Sequence, residues 1–235
     1  MDGAGKISVC IATYNGERYI REQLDSILSQ LSLDDEVIIS DDGSKDSTIE
    51  IISSYLDSRI KVFKNNGKHG YVGNFENALN HSSGDFIFLS DQDDIWNENK
   101  VKKCMDVLRQ NDLVVHDAFL MNQHGNISDV NYFSIRKSGE GYWRNLYKNS
   151  FIGCCMAFKK EMLRYILPFP PNILWHDMWI GLVVERKGKV RFIQDKLLYY
   201  RRHGDNASST AEKSSFSFLF KIKYRLPLFF YSFFK

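Results

Sequence analysis

The strongest constraint on this chain is an alternation of short, buried-type apolar runs with helix-period segments through its first half. Ile7, Val9 and Ile11 open a run with small residues between them, which suits a strand covered on both faces. Ile20, Leu24, Ile27, Leu28 and Leu31 then recur at helical spacing. Residues 36–40, centred on Val37, Ile38 and Ile39, predict a second strand. Ser47 and Glu50 have capping-box spacing and predict the start of the next helix. Residues 60–63 predict a third strand. Residues 72–81 predict a helix that Ser82-Ser83-Gly84 ends. Residues 85–90 predict a fourth strand, 97–110 another helix, and 113–115 a further strand. This order predicts an α/β fold, a mostly parallel sheet with helices on both faces. Such sheets bind ligands in the loops at the carboxyl ends of their strands.

Beyond about residue 122 the alternation weakens. Gln123-His124-Gly125-Asn126 has the composition of a hairpin turn. Residues 151–158 predict a strand, 176–186 a helix stopped by Gly188, and 190–193 and 197–200 two more strands. With no repeat and no low-complexity linker, the expectation is one domain over 1–210, in two halves meeting near 120, then a tail over 211–235.

Composition narrows the classes. Hydrophobic residues make up 43% and charged residues 26%, as in a globular chain. A net charge of +2 gives no reason to expect a nucleic-acid partner. Cys10, Cys104, Cys154 and Cys155 lack zinc-ligand spacing and are expected to be reduced, mostly buried thiols, as in the cytoplasm. The N-terminus runs straight into a strand-like segment, so no leader is expected. No apolar run reaches the ~18 residues of a membrane span.

Polar residues gather at three strand ends: Thr13-Tyr14-Asn15-Gly16, Asp41-Asp42-Gly43-Ser44 and Asp91-Gln92-Asp93-Asp94. The last crowds three carboxylates into four residues. Like charges this close raise one another's pKa, and a cation relieves them. Carboxylate oxygens suit Mg²⁺ or Mn²⁺, which commonly bind through one or two carboxylates plus substrate phosphates. The same run is also a plausible solvated turn before the next helix; its place after a buried strand favours the metal. Asp41-Asp42 reads equally as a turn or as a carboxylate contact to a base or ribose.

Four segments together resemble the family 2 glycosyltransferases of the GT-A fold: IATYNGE at 11–17, SDDGSKDST at 40–48, GYVGNFENAL at 70–79 and SDQDDIW at 90–96. The last is similar to that of bacterial members that build O-antigen or capsule, rhamnosyltransferases among them. The resemblance implies a Rossmann-like nucleotide-binding half over about 1–120 and an acceptor-side half over about 121–210. It implies that Thr13, Tyr14, Asn15 and Glu17 serve the nucleotide pocket and that Asp41 or Asp42 contacts the base or ribose. It also implies that Gly70, Asn74 and Asn77 lie along the donor site and that Asp91 and Gln92 meet the ribose or sugar. Asp93 is the expected metal ligand, for Mn²⁺ or Mg²⁺. In W-H-D-M-W at 175–179, Asp177 matches the general base of inverting members, deprotonating the acceptor hydroxyl. His176 stands where the family often has Glu. Trp175, His176 and Trp179 are then candidates for the acceptor. In YRRHGDN at 200–206, His203 is expected to complete the metal shell and Arg202 to meet the diphosphate.

The implied activity is inverting sugar transfer from a nucleotide-diphosphate sugar, dTDP-rhamnose or a UDP-hexose, to a hydroxyl of a glycan or lipid-linked glycan. Two other readings compete. A sugar-nucleotidyltransferase needs a glycine-rich basic loop near its N-terminus, which residues 11–18 lack. A nucleotide-binding regulatory or scaffold module needs no general base. The tail over 216–235 is aromatic and basic, and Pro227 is expected to interrupt any long helix there. It suits peripheral contact with the inner face of the cell membrane, packing on the protein body, or a dimer contact.

Overall fold

The computed structural model describes residues 5–204 and 218–234. The first half carries β1 (Ile7–Thr13), α1 (Ile20–Leu28), β2 (Glu36–Asp41), α2 (Thr48–Ser53), β3 (Ile60–Lys64), α3 (Tyr71–His81) and β4 (Phe86–Ser90). The four strands pair in parallel in the order β3-β2-β1-β4. β2 is buried along its whole length, as its unbroken apolar run requires. α1 buries Ile20, Gln23, Leu24 and Ile27, one stripe at helical spacing.

The start of α2 differs from expectation. The Ser47 side chain makes no cap hydrogen bond. Instead Asp46 Oδ1 accepts the Thr48 N–H at 3.1 Å, and Glu17 Oε2 accepts the Ser47 N–H at 2.9 Å. Acids outside the helix have taken the free N–H groups that a capping box would satisfy.

After β4 come β5 (Ile95–Trp96), α4 (Lys100–Leu108), β6 (Leu113–Asn122), β7 (Ile127–Asn131), α5 (Tyr132–Arg136), α6 (Tyr142–Tyr147), β8 (Met156–Lys159), α7 (Leu163–Ile166), α8 (His176–Lys187), β9 (Val190–Arg202) and α9 (Phe218–Phe234). The sheet continues as β4-β8-β6-β9-β5, with β7 hairpinned on β6 across the expected 123–126 turn. Only the last part of 151–158 is strand, because Gly153–Cys155 turn as a short 3-10 helix first. The two strands expected over 190–200 are one bent strand. Its register against β6 breaks between His116 and Asp117, opposite Ile193 and Lys196.

β5 has two residues and no periodicity to betray it, yet it positions the site. Ile95 and Trp96 pair with Tyr199 and Leu198 of β9, antiparallel. This ties the acidic loop after β4 to the strand end that carries Arg201, Arg202 and His203. α9 is one helix with Pro227 inside it, not broken by it. Pro227 and Lys223, whose carbonyl it frees, both face solvent, so no buried group is orphaned. Residues 205–217, including Asp205, Asn206 and the start of the tail, lie outside the described residues. Among the described residues no helix is long and apolar enough to cross a membrane. All four cysteines are free and buried.

Candidate active site

A cleft of about 300 Å³ opens at the carboxyl ends of β1 and β4. Thr13 and Tyr14 line it from β1, Asp42 from β2, and Gly70, Asn74 and Phe75 from α3 and the turn before it. Asp91, Gln92 and Asp93 line it from β4. Trp175, His176 and Asp177 close the opposite wall at the start of α8. One space therefore joins residues more than eighty positions apart.

The β2 loop is held by its own carboxylates. Asp41 Oδ1 accepts hydrogen bonds from the Thr13 hydroxyl at 2.9 Å and the Ser44 hydroxyl at 2.5 Å, and Oδ2 accepts the N–H groups of Gly43 and Ser44 at 2.9 Å each. Every lone-pair direction of Asp41 is used inside the loop, so of the two acids Asp42 is the one left on the cleft wall. Asp42 accepts from Asn65 Nδ2 and the Gly70 N–H at 2.8 Å each and meets His69 Nδ1 at 2.8 Å. Gly70 makes that contact with φ 92°, the left-handed region that glycine adopts freely.

The β4 loop is the reverse. Asp94 is fully buried, and Asp91 is half-buried on the cleft wall. Burial, then the charge of Asp93, pushes the Asp91 carboxyl up to about 7. The same causes, with Asp91 itself, raise Asp94 well above the usual range. Asp94 Oδ1 accepts the Arg201 N–H at 2.9 Å, while its buried Oδ2 has no hydrogen-bond partner among the described residues. Asp93 Oδ2 meets His203 Nε2 at 2.7 Å, and the His203 ring stacks on Tyr19 with centroids 4.9 Å apart. This donor set fits a hard divalent cation. An unrelieved group of carboxylates faces a cleft, and an imidazole is already seated against one of them. Asp91, Asp94 and Cys154 also bring ligand atoms within 4.8 Å of one another. Burial keeps the Cys154 thiol protonated, however, so it does not act as a soft ligand.

Across the cleft, Asp177 sits in the first turn of α8, where Oδ1 accepts the Met178 N–H at 2.6 Å. Burial pushes its carboxyl up to about 6. His176 is only 7% exposed and stacks on Phe75 at 4.1 Å. Neither of its ring nitrogens has a hydrogen-bond partner among the described residues, and burial holds the imidazole neutral down to about pH 3. Its ring fits because residue 153 is glycine: a Cβ there would meet His176 Nε2 at 2.6 Å.

The comparisons with known proteins agree with this geometry. The model for Glycosyl transferase family 2 matches residues 8–167. The chain belongs to that family. It is 29% identical over 215 residues to the dTDP-rhamnosyl transferase RfbG of Shigella flexneri, covering 83% of this chain and 72% of that one. It is 30% identical over 168 residues to the UDP-Glc:alpha-D-GlcNAc-diphosphoundecaprenol beta-1,3-glucosyltransferase WfgD of Escherichia coli, covering 70% of this chain and 64% of that one. Among solved structures, Staphylococcus aureus TarS 1-349 in complex with UDP-GlcNAc superposes with a TM-score of 0.73 at 22% identity, over 95% of this chain and 66% of that one. The fold is GT-A. The chain thus spans about two thirds of the length of these relatives.

Within this family 2 glycosyltransferase, several expected site residues take other places. Asn15 and Glu17 do not reach the cleft: Asn15 Oδ1 accepts the Lys45 N–H at 2.9 Å, and Glu17 holds Ser47, so both clamp the β1 and β2 loops together. Asn77 donates to the Ser40 hydroxyl at 2.8 Å, behind the cleft, whereas Asn74, nearly one turn earlier, donates to the Thr13 carbonyl at 3.0 Å and lines it. Trp179 is core: its side chain is fully buried and its indole N–H donates to the Ile166 carbonyl at 2.9 Å. Trp175 keeps its place on the wall.

Arg202 points to solvent, and Arg201 is the buried arginine. Arg201 Nε donates to the Asp93 carbonyl at 2.8 Å, its Nη2 pairs with Glu22 at 2.5 Å, and its guanidinium lies over Tyr19. Strand alternation contained this signal, because the β9 residue that faces the same way as His203, just past the strand's end, is number 201, not 202. Lys100 had no such signal. It is fully buried, donates to the Cys154 carbonyl at 2.6 Å and packs over Trp96, beneath the acidic loop.

Proposed function

We propose that this chain is an inverting transferase that moves a sugar from a nucleotide-diphosphate donor to a hydroxyl of a glycan or lipid-linked glycan in bacterial polysaccharide synthesis. Residues 1–210 form its catalytic domain. The observation that carries the reading is the position of Asp177. Its carboxyl faces the β4-end acids across one cleft, and burial lifts it to about 6. That value matches a general base near neutral pH. Asp177 takes the proton of the acceptor hydroxyl as that oxygen attacks the anomeric carbon from the side opposite the diphosphate. Asp42 and Asn74 hold the nucleotide end, and Asp91 and Gln92 the ribose or sugar. Trp175 offers its face to the acceptor ring, and His176 a neutral imidazole. Asp93 and His203 are the residues that would hold Mn²⁺ or Mg²⁺. A cation bound there supplies Lewis-acid neutralisation of the diphosphate leaving group. The structure of the Pyrobaculum calidifontis mannosyltransferase PcManGT with GDP-Man and Mn²⁺ has the same fold, at a TM-score of 0.61. The names of RfbG and WfgD make dTDP-rhamnose and UDP-glucose the first donors to try, and WfgD a diphosphoundecaprenol-linked acceptor.

The test is release of nucleoside diphosphate from a panel of nucleotide sugars with a lipid-linked glycan acceptor, in Mn²⁺, Mg²⁺ or EDTA. Turnover of one donor, lost in EDTA and in Asp93→Asn and Asp177→Asn, is the expected result. A donor that binds and turns over equally in Asp177→Asn overturns the base assignment. Absence of any donor binding in either metal overturns the transferase reading in favour of a scaffold.

A further inference from the structure

α9 is apolar on both of its faces, and among the described residues only one of them is covered by protein. Its inner face, with Leu228, Phe229, Ser232 and Phe233, packs on α6 and α8. Leu228 is buried, the Ser232 hydroxyl meets the Tyr142 hydroxyl at 2.7 Å, and the Arg186 guanidinium lies 3.6 Å from the centre of the Phe233 ring. A helix seated on a protein body ordinarily turns polar residues outward. This one turns out Leu226, Phe230 and Phe234, recurring every four residues, with Tyr231 beside them and Phe234 85% exposed.

The same surface continues onto α6. Trp143 and Tyr147, one turn apart, are 65% and 73% exposed. The Trp143 ring lies 5.7 Å from Phe229, Phe229 lies 5.5 Å from Phe230, and the Arg225 guanidinium lies over Tyr147. The exposed rings therefore form one patch across two helices. Neither helix carries an Asp or Glu, while Arg144, Lys223 and Arg225 lie in them and Lys148 follows α6 directly.

We infer that α6 and α9 together form a docking platform for an anionic lipid bilayer surface. Trp and Tyr favour the boundary between headgroups and acyl chains, where an apolar ring carries a polar edge. Lysines and arginines around them meet anionic headgroups, and the absence of acids removes the repulsion that such a surface would otherwise raise. A helix of 17 residues lies in the interface and does not span it. The platform abuts the cleft: Trp175, on the cleft wall, has its ring 5.0 Å from Tyr224 of α9. An acceptor held in the bilayer then meets the cleft from the Asp177 side. This last step rests on the proposed transferase activity; lipid binding itself does not.

Flotation of the full chain on density gradients tests it, without nucleotide sugar or acceptor. The probes are vesicles of phosphatidylglycerol with phosphatidylcholine, and of phosphatidylcholine alone. The chain is expected to float with the anionic vesicles, to float less at about 0.5 M salt than at about 0.1 M, and to bind neutral vesicles about tenfold less. The outward-facing pair Phe230→Ser with Phe234→Ser is expected to lose at least about tenfold in binding, and Lys223→Glu several-fold, with unchanged circular dichroism. Absence of flotation with anionic vesicles overturns the inference. So does equal flotation of the Phe230→Ser, Phe234→Ser chain, including the case in which that variant dissolves a dimer in sedimentation and leaves lipid binding intact. Because flotation needs no turnover, its failure leaves the transferase reading standing, and failure of the donor assay leaves the platform standing.

Discussion

Two sets of carboxylates border the cleft, and they are built on opposite principles. Asp41 and Asp42, at the end of β2, are saturated by hydrogen bonds from hydroxyls, an amide and backbone N–H groups. Asp94 after β4 is buried, and Asp91 beside it and Asp177 on α8 are half-buried, all with few donors, and their carboxyls are pushed up as a result. The first set spends its lone pairs on shaping loops. The second keeps charge uncompensated until something else arrives: a cation, a sugar or a proton from an acceptor. Partner count, more than acidity in the sequence, separates Asp41, which builds the site, from the carboxylates left facing the cleft.

The sharpest way to break this comparison is Asp177→Asn. If Asp177 is the base, kcat falls about 10²–10⁴-fold while donor affinity holds. The same variant is expected to be more stable, by at most about 3 kcal/mol near neutral pH, because a buried carboxyl whose pKa rises from 3.8 to about 6 opposes folding when ionised. The sign follows from proton counts. Between those two values the native state binds more protons than the unfolded chain, so this group's contribution to stability falls as pH rises through that window. Activity runs the other way, rising about tenfold per pH unit below 6, because only the carboxylate accepts a proton. Loss of activity together with a higher melting temperature confirms the contrast. Equal loss of both makes Asp177 a structural acid like Asp41.

Asp41→Ala probes the saturated set. It strands the loop N–H groups of Gly43 and Ser44 and leaves the buried Thr13 hydroxyl only the Ser40 carbonyl, at 3.3 Å. A loss of about 2–4 kcal/mol in urea unfolding is expected, since each orphaned donor keeps its desolvation cost. The donor affinity of the molecules that remain folded is expected to change little. A large fall in donor affinity with unchanged stability would instead place Asp41 in contact with the nucleotide.

Legibility in the sequence followed the same division. The strands β1 to β4 and their helices were readable because parallel strands buried on both faces carry unbroken apolar runs, and the acidic loops sit where such strands end. β5 was not readable, because two residues carry no period and its pairing with β9 is decided a hundred positions away. Tyr14, Asp42, Asn74, Asp91, Gln92, Asp93, Trp175, His176 and Asp177 all line the cleft. Asn15, Glu17 and Asn77 have the right chemistry, but neighbouring loops claim them first. Trp175 and Trp179 looked equivalent in the sequence. Trp175 precedes α8 with extended backbone (φ -137°, ψ 116°) and faces the cleft, whereas Trp179 lies inside the helix and faces the core.

The smallest effect isolates the unpartnered imidazole. Gly153→Ala adds one methyl that would stand 2.6 Å from His176 Nε2, and the fully buried Cys154 and Cys155 beside it leave the turn little room to retreat. The ring must therefore tilt off Phe75, its stacking partner at 4.1 Å. If His176 meets a sugar hydroxyl, the misaimed nitrogen raises KM for that sugar about three- to tenfold, the worth of one neutral hydrogen bond. kcat stays near its original value, because Asp177 is held separately by the Met178 N–H. Measuring KM for donor and acceptor in turn shows which of the two sugars His176 reads. A fall in kcat at unchanged KM would mean that His176 acts through Asp177 as a positioning residue, and the orphaned nitrogens would then belong to the base and not to substrate recognition.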